Sequence, residues 1–552
     1  MDQKSDFGVL YGQKTQDDVL LIYSAYEDAK ASPSVGDFIV LTPKDESNPK
    51  FLARIEQEVY DEDPMFRNQD KTLVAVHYAR IAERDLSERD KQKMFSYTYR
   101  VRMLGTFDDK GTSLAFTTAV RKLPVVSYHA RHLNPKEIEH ILNYGNQNGV
   151  GVGHFCVGEV LFKNKGEIRF DLNRLRRSRT LVLAQSGFGK TNFVKVLAYH
   201  LCRDNSYGKL IFDLNGEYAT KSQDTCGLGD IDEPKIRENL VVFTDRQLPP
   251  EYKDRFTHGG SVTLNTHKHM TVGDILNFAP GFSEVMKSLL LYLDDEGVED
   301  FVQNINSYVT DPAQLHKKYP DFWATNAKDP AKDTKEEVSS RKTIAGIRKR
   351  IGHLIESGKG IHSSSSTLVE QTMVALKQGK TVVIDLSLKD STDASIISTI
   401  LVRKLFEDNK RNYTGNAQDK VIEAVTFIEE AQNVLSEEFV RSNANPFVRL
   451  AKEGRKFGLG LVAVTQRPSA IAEEIRSQAD NFFAFHLGNT DDIKSLVRSN
   501  INYDGVISSF LQRETIKGNL YMVTASQSFV VPVRVFEFEK MVASKLYPAS
   551  SD

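Results

Sequence analysis

Residues 180–195 read Thr-Leu-Val-Leu-Ala-Gln-Ser-Gly-Phe-Gly-Lys-Thr-Asn-Phe-Val-Lys, an apolar run that breaks into a glycine-rich turn and restarts as a helix. The apolar run is uncharged and typical of a buried strand. Gly187 and Gly189 permit the backbone to curl. A helix that begins near Lys190 offers free N–H groups and its positive dipole end to an anion. The pattern therefore predicts a phosphate-binding loop between a strand and a helix.

The loop predicts a nucleotide and a metal ion as ligands. Lys190 would reach the β- and γ-phosphates of ATP, and the Thr191 hydroxyl would hold Mg²⁺. The common pattern G-x-x-x-x-G-K-[ST] begins with Gly, whereas this chain has Ala184 there. A Gly/Ser loop that binds nothing is the alternative. The residues expected to bind the nucleotide are Ser186, Gly187, Phe188, Gly189, Lys190, Thr191 and Asn192.

Composition limits the class of protein. A chain of 552 residues is long enough for roughly two to four domains. Its formal charge of −2 gives no global basic field, so any contact with DNA would come from local basic patches. The cysteines Cys156, Cys202 and Cys226 lack metal-ligand spacing and suit a reducing cytosol. Without a run of 18 apolar residues, the sequence predicts a cytoplasmic protein with no membrane segment.

The first hundred residues contain short, strand-like pieces separated by polar or Gly/Pro breaks, and this spacing predicts a small β-barrel. An amphipathic helix is expected over residues 82–95, and a short connecting helix opens at Asn134 or Pro135. Residues 145–153 are expected to form a flexible boundary. The predicted strands cover residues 7–10, 19–22, 37–42, 51–59, 73–79 and 97–106.

After the phosphate loop, strand-like runs alternate with helical segments, which predicts an α/β fold with a mostly parallel sheet covered by helices on both faces. A helical insertion is expected over residues 276–375, with a charged, mobile loop at 326–337. The predicted strands cover residues 209–214, 240–244, 381–386, 421–428, 459–465 and 482–487. The predicted domains are the barrel (1–135), the first part of the core (150–275), the insertion (276–375), the second part of the core (376–500) and the C-terminal strands with a tail (501–552).

A nucleotide hydrolase needs a second carboxylate site at the end of a buried strand, to hold Mg²⁺ and orient the attacking water. Residues 425–432, Val-Thr-Phe-Ile-Glu-Glu-Ala-Gln, supply one. We expect Glu429 on the metal side and Glu430 as the general base or water-orienting residue. Adjacent acids after a strand are also common on surfaces, so the assignment depends on Lys190 belonging to the same site.

A third pattern is a basic helix end that leads into a strand, in residues 449–468. Gln466 ends that strand and is placed to report on the γ-phosphate, although a glutamine there can also be a plain hydrogen-bonding residue. Arg455 and Lys456 can equally belong to a solvated helix end. Asp213 ends a strand that we expect beside the phosphate-loop strand, where the carboxyl edge of a parallel sheet gathers ligands. Capping a turn at 215–216 is an equal alternative for Asp213.

Three motifs resemble a known family: Asp-Leu-Asn-Gly-Glu-Tyr at 213–218, Ile-Glu-Glu-Ala-Gln at 428–432, and Glu-Gly-Arg-Lys-Phe-Gly at 453–458 followed by Thr-Gln-Arg-Pro at 465–468. In order and spacing they look like HerA, of the HerA/FtsK group of ring-forming DNA-pumping ATPases. The resemblance covers roughly residues 150–535. The N-terminal strands also resemble the small barrel that precedes the motor in HerA, the HerA-ATP synthase type.

The resemblance implies a RecA-like P-loop ATPase core. In it, Lys190 and Thr191 would bind ATP and Mg²⁺, and Glu430 would be the catalytic acid. Gln466 would be the sensor, and Arg455 would be an arginine finger that reaches the neighbouring subunit's nucleotide. Glu217 would help at the subunit interface. The chain departs from the family pattern at three positions, with Ala184 for Gly, Glu429 for Asp and Gln432 for His.

The leading hypothesis is an ATP-driven translocase that forms a hexameric ring around duplex DNA. Basic clusters at 174–179 and 341–350 could contact phosphates, or could be solvated surface. The resemblance implies a partner nuclease or sirtuin-like effector, bound on the barrel face, and a role in antiphage defence. The alternatives are a scaffold ring that uses ATP to assemble an effector, and a secretion or conjugation motor without a membrane anchor.

Overall fold

The computed structural model describes most of the chain. The described residues are 6–14, 19–25, 33–45, 48–62, 95–108, 114–120, 122–157, 160–161, 166–222, 225–279, 281–293, 297–319, 333–358, 360–442 and 445–547. The strands are β1 (Asp6–Lys14), β2 (Val19–Ala25), β3 (Phe38–Thr42), β4 (Lys50–Glu62), β5 (Phe95–Asp108), β6 (Ala115–Thr117), β7 (His129–His132), β8 (Val150–Val157), β9 (Val160–Leu161), β10 (Glu167–Phe170), β11 (Arg179–Leu183), β12 (Gly208–Asp213), β13 (Leu240–Phe243), β14 (Thr257–Gly260), β15 (Thr381–Asp385), β16 (Ala424–Ile428), β17 (Leu459–Thr465), β18 (Asn481–Ala484), β19 (Asn519–Val523) and β20 (Val531–Val535).

The α-helices connect these strands and cover the larger sheet. They are α1 (Pro135–Ile141), α2 (Lys190–Cys202), α3 (Pro234–Asn239), α4 (Thr266–His269), α5 (Val272–Phe278), α6 (Glu284–Leu291), α7 (Gly297–Thr310), α8 (Pro312–Lys318), α9 (Asp333–Ile355), α10 (Leu368–Lys377), α11 (Ser391–Thr414), α12 (Glu437–Ser442), α13 (Pro446–Glu453), α14 (Glu473–Arg476), α15 (Thr490–Ser499), α16 (Val506–Arg513) and α17 (Phe538–Val542). Within the described residues, no helix is long and apolar enough to cross a membrane.

The N-terminal strands pair antiparallel in the order β2-β1-β7-β3-β4-β5, and β5 pairs back with β2, which closes the cycle. Ile22, Ile39 and Ile55 belong to the separate apolar core of this unit. The predicted strands at 7–10, 19–22, 37–42, 51–59 and 97–106 coincide with observed ones. The strand predicted at 73–79 and all but the last residue of the helix predicted at 82–95 lie outside the described residues. The short helix predicted to open at Asn134 or Pro135 is α1, and Asn134 caps it through a capping box with Glu137.

The larger sheet has the order β10-β8-β20-β19-β18-β11-β17-β16-β12-β15-β13-β14. The strands from β18 to β14 are parallel, so the predicted α/β class with a mostly parallel sheet is confirmed. The strands β8, β10, β19 and β20 extend it antiparallel. The flexible boundary predicted at 145–153 is wrong for its last four residues, because the glycine-rich start of β8 pairs with β10 and β20.

One expectation about strand order is also wrong. β12, which ends in Asp213, is not the neighbour of the phosphate-loop strand β11, because β17 and β16 lie between them. Crossover connections between parallel strands do not fix which strands become neighbours, and the sequence carries no other signal of that order. Asp213 is therefore three strands away from β11.

Both faces of the parallel sheet are buried, which explains the unbroken apolar runs of its strands. Leu181 and Leu183 belong to the core on the face covered by the insertion helices. Val182 and Ala184 belong to the core on the opposite face, with residues of α2. The strict alternation along β11 fixes the direction in which the following loop leaves the sheet.

Helices α6 to α9 fill much of the predicted insertion. The mobile loop predicted at 326–337 is wrong where it can be compared, because α9 begins at Asp333; residues 326–332 lie outside the described part of the chain. Ile344, Ile347 and Ile351 are fully buried and anchor this helix. The charged stretch before them includes Lys335, Glu336, Glu337, Arg341 and Lys342, which are good helix formers, and the helix extends into it.

Candidate active site

The phosphate loop begins where β11 ends, between the ends of two neighbouring strands. The Ala184 N–H donates to the carbonyl of Thr465 at 3.1 Å, and the Gln185 N–H donates to the carbonyl of His486 at 2.9 Å. The chain then turns through Gly187 and Gly189, whose φ angles of 84° and 100° lie in the left-handed region. Only glycine adopts such angles at little cost, so the two glycines of the motif make the turn possible.

Helix α2 starts at Lys190 with Gly189 at its N-cap, and no side chain caps it. In the described structure, the backbone N–H groups of Gly187, Gly189, Lys190 and Thr191 donate to no carbonyl. Such a row of free N–H groups at the positive end of a helix is an anion-binding site. Ala184 is fully buried in the core with Val182, so its methyl group does not enter the loop.

The Glu430 carboxylate lies at the centre of a hydrogen-bonded network beside the loop. Its Oε1 accepts from Lys190 Nζ at 3.1 Å and from Gln466 Nε2 at 2.7 Å. Its Oε2 accepts from Gln432 Nε2 at 2.6 Å. Gln432 in turn accepts from the Thr465 hydroxyl at 2.6 Å. The structure thus brings together Lys190, Glu430 and Gln466, as the sequence analysis expects.

Two properties of Glu430, its backbone conformation and its pKa, fit a residue that takes part in a reaction. Its backbone is left-handed, with φ 47° and ψ 45°, a conformation that costs a non-glycine residue about 1 kcal/mol and is concentrated at functional sites. Burial would raise its pKa, but the hydrogen bonds from Gln432 and Gln466 and the charge of Lys190 outweigh burial and lower the pKa below its ordinary value. Glu430 is therefore ionised at neutral pH and can accept a hydrogen bond from water.

Glu429 points to different partners. Its Oε1 accepts from the Tyr218 hydroxyl at 2.6 Å, and its Oε2 accepts from Asn215 Nδ2 at 3.4 Å. Burial raises the pKa of the Glu429 carboxyl to about 7, and the nearby charge of Asp213 adds to this rise. The surroundings of these two adjacent acids thus give them different pKa values. Glu430 is ionised at neutral pH, whereas Glu429 titrates near neutrality.

Asp213 caps the turn that follows β12. Its carboxylate accepts backbone N–H groups from four residues, of which Gly216 at 2.7 Å and Tyr218 at 2.9 Å are the closest. Burial raises the pKa of Asp213 to about 6 even so. This is the capping alternative of the sequence analysis. Glu217 lies on the same turn, and its side chain makes no hydrogen bond within the described residues.

Mg²⁺ can be tested against the side chains near the loop. The Thr191 hydroxyl is half-exposed at the first turn of α2 and has no hydrogen-bond partner among the described residues. Hydroxyl and carboxylate oxygens are the ligands that Mg²⁺ takes beside nucleotide phosphates. Thr191 therefore fits the ion, and Glu429 is a carboxyl near the loop that Glu430's network does not use. Burial raises the pKa of Glu429, and the charge of Lys190 offsets part of that rise. The structure describes no cluster of three His, Cys, Asp or Glu residues that could bind a metal without a nucleotide.

Arg455 is not part of this constellation. It lies in the 3₁₀-helix Gly454–Phe457, before β17, whereas Gln466 follows the last residue of β17. A strand of seven residues spans roughly 20 Å, far more than an arginine side chain. The Arg455 guanidinium is 70% exposed and contacts Asp480 at 3.5 Å. It therefore lies at the amino edge of the sheet, away from its own phosphate loop.

The basic cluster at 174–179 is largely occupied within the chain. Arg176 and Arg177 both bind the Glu423 carboxylate. Arg174 donates to Asn146 Oδ1 at 3.1 Å and to a carbonyl at 2.5 Å. For these three arginines the structural alternative, rather than contact with phosphates, accounts for the observed contacts.

Some contacts of the site have no clear signal in the sequence. The Phe188 ring packs against His486, with centroids 4.2 Å apart. The Asn192 amide binds the C-terminal segment, accepting from the Phe538 N–H and donating to the Phe536 carbonyl, both at 2.8 Å. The Tyr218 hydroxyl, which holds Glu429, lies inside a quoted motif that assigns it no role.

Comparison with known proteins finds similar sequences and structures. Residues 155–405 match the sequence model of the family described as the central domain of the helicase HerA. The chain is 26% identical over 422 residues to the DNA double-strand break repair helicase HerA of Sulfurisphaera tokodaii, covering 75% of this chain and 74% of the relative. It is 22% identical over 527 residues to a probable helicase of Methanocaldococcus jannaschii, covering 91% and 85%. Among solved structures, VirB4 of Thermoanaerobacter pseudethanolicus aligns with a TM-score of 0.43 at 12% identity, covering 70% of this chain and 96% of that one.

A parallel sheet whose phosphate loop lies beside the ionised carboxylate of Glu430, which follows a strand two places from β11, defines a P-loop ATPase. Residues 155–405 are similar to the central domain of HerA, and the likeness to both relatives extends over a longer part of the chain. The family match ends before Glu430, Arg455 and Gln466.

Proposed function

We propose that the protein is an ATP-hydrolysing motor that works as a ring of six chains on duplex DNA. In this proposal Lys190 and the loop residues bind the phosphates of ATP, and Thr191 and Glu429 hold Mg²⁺, which would neutralise charge on the phosphates. Glu430 orients the attacking water, and Gln466 links Glu430 to the γ-phosphate position. The network around Glu430 is the support for these roles.

The observation that carries the ring is the separation of Arg455 from Lys190. An arginine finger must reach the γ-phosphate, and Arg455 cannot reach the loop of its own chain across the length of β17. Its high exposure leaves it available to a second chain. A ring in which each Arg455 completes the site of the next subunit satisfies both facts.

Two observations support DNA as the track. A relative of this chain is named a DNA repair helicase. In addition, α9 exposes Arg341, Lys342 and Lys349, and these cations make no contact with an acidic side chain among the described residues. The second and third of them are seven residues apart and so lie on one side of the helix. Such a cationic face suits phosphates better than the neutralised cluster at 174–179 does.

The proposal also includes a cytoplasmic partner that supplies destructive chemistry. The resemblance favours a nuclease or a sirtuin-like effector bound to the N-terminal unit, and a role in antiphage defence. In the scaffold alternative, ATP regulates assembly of the same partner.

The test combines native mass measurement with ATP turnover, with and without duplex DNA. We expect a mass of six chains of 62.2 kDa and DNA-stimulated hydrolysis. Glu430→Gln should keep the ring and lose the DNA-stimulated turnover. A fully active monomer would contradict the ring. A rate of ATP turnover that is the same with and without duplex DNA would contradict the motor. Effector activation that survives Glu430→Gln would favour the scaffold.

A further inference from the structure

The Gln432 side chain joins the Glu430 carboxylate to the neighbouring strand. Gln432 lies in the 3₁₀-helix Ala431–Asn433, which follows β16. Its Nε2 donates to Glu430 Oε2 at 2.6 Å, and its Oε1 accepts from the Thr465 hydroxyl, also at 2.6 Å. Thr465 is fully buried, so its hydroxyl is shielded from water.

The chemistry of these groups fixes the direction of the two hydrogen bonds. An ionised carboxylate only accepts, so the Gln432 amide must turn its NH₂ group towards Glu430 and its oxygen towards Thr465. The Thr465 hydroxyl must then donate its one proton to Gln432. The hydroxyl oxygen in turn accepts from the Arg467 N–H at 3.0 Å. Position 432 therefore requires a side chain that donates on one side and accepts on the other.

Thr465 connects this chain of hydrogen bonds to the phosphate loop. It is the last residue of β17, which lies between β16 and β11. Its carbonyl accepts from the N–H of Ala184, at the start of the loop, at 3.1 Å. Glu430 is thus held at a set position relative to the loop, through the side chains of Gln432 and Thr465.

The other side-chain contacts of Glu430 come from groups that the proposed function assigns to phosphates. Lys190 Nζ and Gln466 Nε2 both donate to Oε1, at 3.1 and 2.7 Å. Because Lys190 binds the phosphates of ATP in that proposal and Gln466 lies towards the γ-phosphate, both can leave Oε1 when ATP binds. Oε1 is then open to the attacking water, whereas Gln432 still holds Oε2.

We propose that Gln432 is a positioning residue for ATP hydrolysis, which holds the Glu430 carboxylate so that its Oε1 faces the attacking water. The inference rests on the proposed function, since it needs Glu430 to act on that water. The left-handed backbone of Glu430 does not fix the carboxylate, because the side-chain torsions stay free to rotate. The hydrogen bond from Gln432 removes that freedom. Gln432 acts through Glu430, so its loss should lower kcat and leave ATP binding unchanged.

The test measures kcat, KM and the dissociation constant of ATP in variants at position 432. Gln432→Met removes both hydrogen bonds in a side chain of similar shape, and kcat should fall roughly tenfold to hundredfold with unchanged ATP affinity. Gln432→Glu keeps an acceptor for Thr465 but no donor for Glu430, so it should be at least as slow. Gln432→His should keep most of the turnover, since a neutral imidazole donates at one nitrogen and accepts at the other. Gln371→Met, at an exposed glutamine of α10, is the matched control and should behave as wild type.

Thr465→Val breaks the same chain of hydrogen bonds at its other end, and it gives a second measurement if Gln432→Met does not fold. Its kcat should also fall, but by less, because Gln432 still reaches Glu430. Thr465→Ser keeps the hydroxyl and should restore the turnover. The double variant Gln432→Met/Thr465→Val should be no slower than Gln432→Met alone, since both changes break one chain.

Unchanged kcat in Gln432→Met, or weaker ATP affinity with unchanged kcat, would overturn the role of Gln432. A Gln432→His variant as slow as Gln432→Met would do the same, as would losses that simply add in the double variant. Near-normal turnover by Glu430→Gln would instead overturn the proposed function, because no carboxylate would then need to be positioned. If Glu430→Gln is inactive and Gln432→Met is fully active, the proposed function stands and only the role of Gln432 is lost.

Discussion

The two edges of the parallel sheet carry charged residues in different arrangements. At the carboxyl edge, Lys190 and two amides converge on the single carboxylate of Glu430, next to backbone N–H groups that have no partner. At the amino edge, Arg176 and Arg177 both bind the one carboxylate of Glu423, which balances one of their two charges. Arg455 lies at that edge too, but it is exposed. The comparison teaches that convergence around an open anion site indicates chemistry, whereas cations that are bound by a carboxylate of the same chain indicate scaffold.

The largest effect is expected at the carboxyl edge from Lys190→Ala. The phosphates would lose the one cation placed inside the loop, so ATP binding or turnover should be lost altogether. Calorimetric titration and steady-state turnover measure the two steps. Lys410→Ala, an exposed lysine of α11, is the control and should behave as wild type. Near-normal hydrolysis by Lys190→Ala would refute the site.

Arg455→Ala tests whether the exposed member of the amino edge acts on a second chain. Hydrolysis should fall by roughly 10³–10⁵, because an arginine finger stabilises charge on the γ-phosphate, while ATP binding and folding stay intact. Arg411→Ala removes a guanidinium that is 77% exposed and should have no effect. Stopped-time assays of phosphate release, with binding measured in parallel, give both quantities.

The same variant allows a complementation experiment. Mixed rings of inactive Arg455→Ala and inactive Lys190→Ala chains contain some interfaces with an intact loop and an intact finger. Partial activity should return after subunit exchange. If mixed rings are verified but no activity returns, Arg455 acts within its own chain, or all subunits must act together.

Glu430→Gln and Glu429→Gln separate the two adjacent acids. Glu430→Gln should keep ATP bound but slow turnover by about 10² or more, since a neutral amide cannot take a proton from water. Glu429→Gln should instead weaken the Mg²⁺-dependent binding of ATP. Titration of ATP affinity and turnover against Mg²⁺ distinguishes the two. Exchanged phenotypes would show that the metal-side and water-side assignments are reversed.

Glu423→Gln is expected to have the smallest effect, on stability alone. It removes the charge that compensates Arg176 and Arg177, which are partly exposed, so the free energy of unfolding should fall by about 1 kcal/mol. Chemical denaturation measures this, with the exposed Glu438→Gln as control. Lost turnover with unchanged stability would mean that this part of the amino edge is catalytic, and the comparison of the edges would break.

The sequence could predict elements whose signals are local. The phosphate loop, its glycines and the strands around it follow from a short pattern, and the six strands predicted after the loop overlap β12, β13, β15, β16, β17 and β18. Contacts between distant segments were beyond such reasoning. The left-handed backbone of Glu430 and the hydrogen bonds of Gln432 depend on how β16 and β17 meet. The sequence does not show the order of the strands in the sheet, and for this reason the expectation that Asp213 lies beside β11 is wrong.

The same limit explains why the sequence does not show that β8 pairs with a C-terminal strand. The glycines before and within β8 indicate a flexible boundary when read locally. In the structure they allow close approach of neighbouring backbones; a Cβ on Gly153 would lie 2.3 Å from the carbonyl oxygen of Arg534. A glycine can be needed for close packing or for flexibility, and the sequence is the same in both cases. Only the partner strand shows which of the two applies.

The position of β19 and β20 has a consequence for how the chain is made. They lie between β8 and β18, so in the described sheet the hairpin of β8 and β10 joins the other strands through strands that are synthesised some 360 residues later. While the ribosome translates the intervening residues, that hairpin has no sheet to join, and the C-terminal segment that Asn192 binds has not been made. The order of synthesis therefore delays completion of the sheet until Val535 has emerged, and an incomplete nascent chain cannot assemble the surroundings of its phosphate loop.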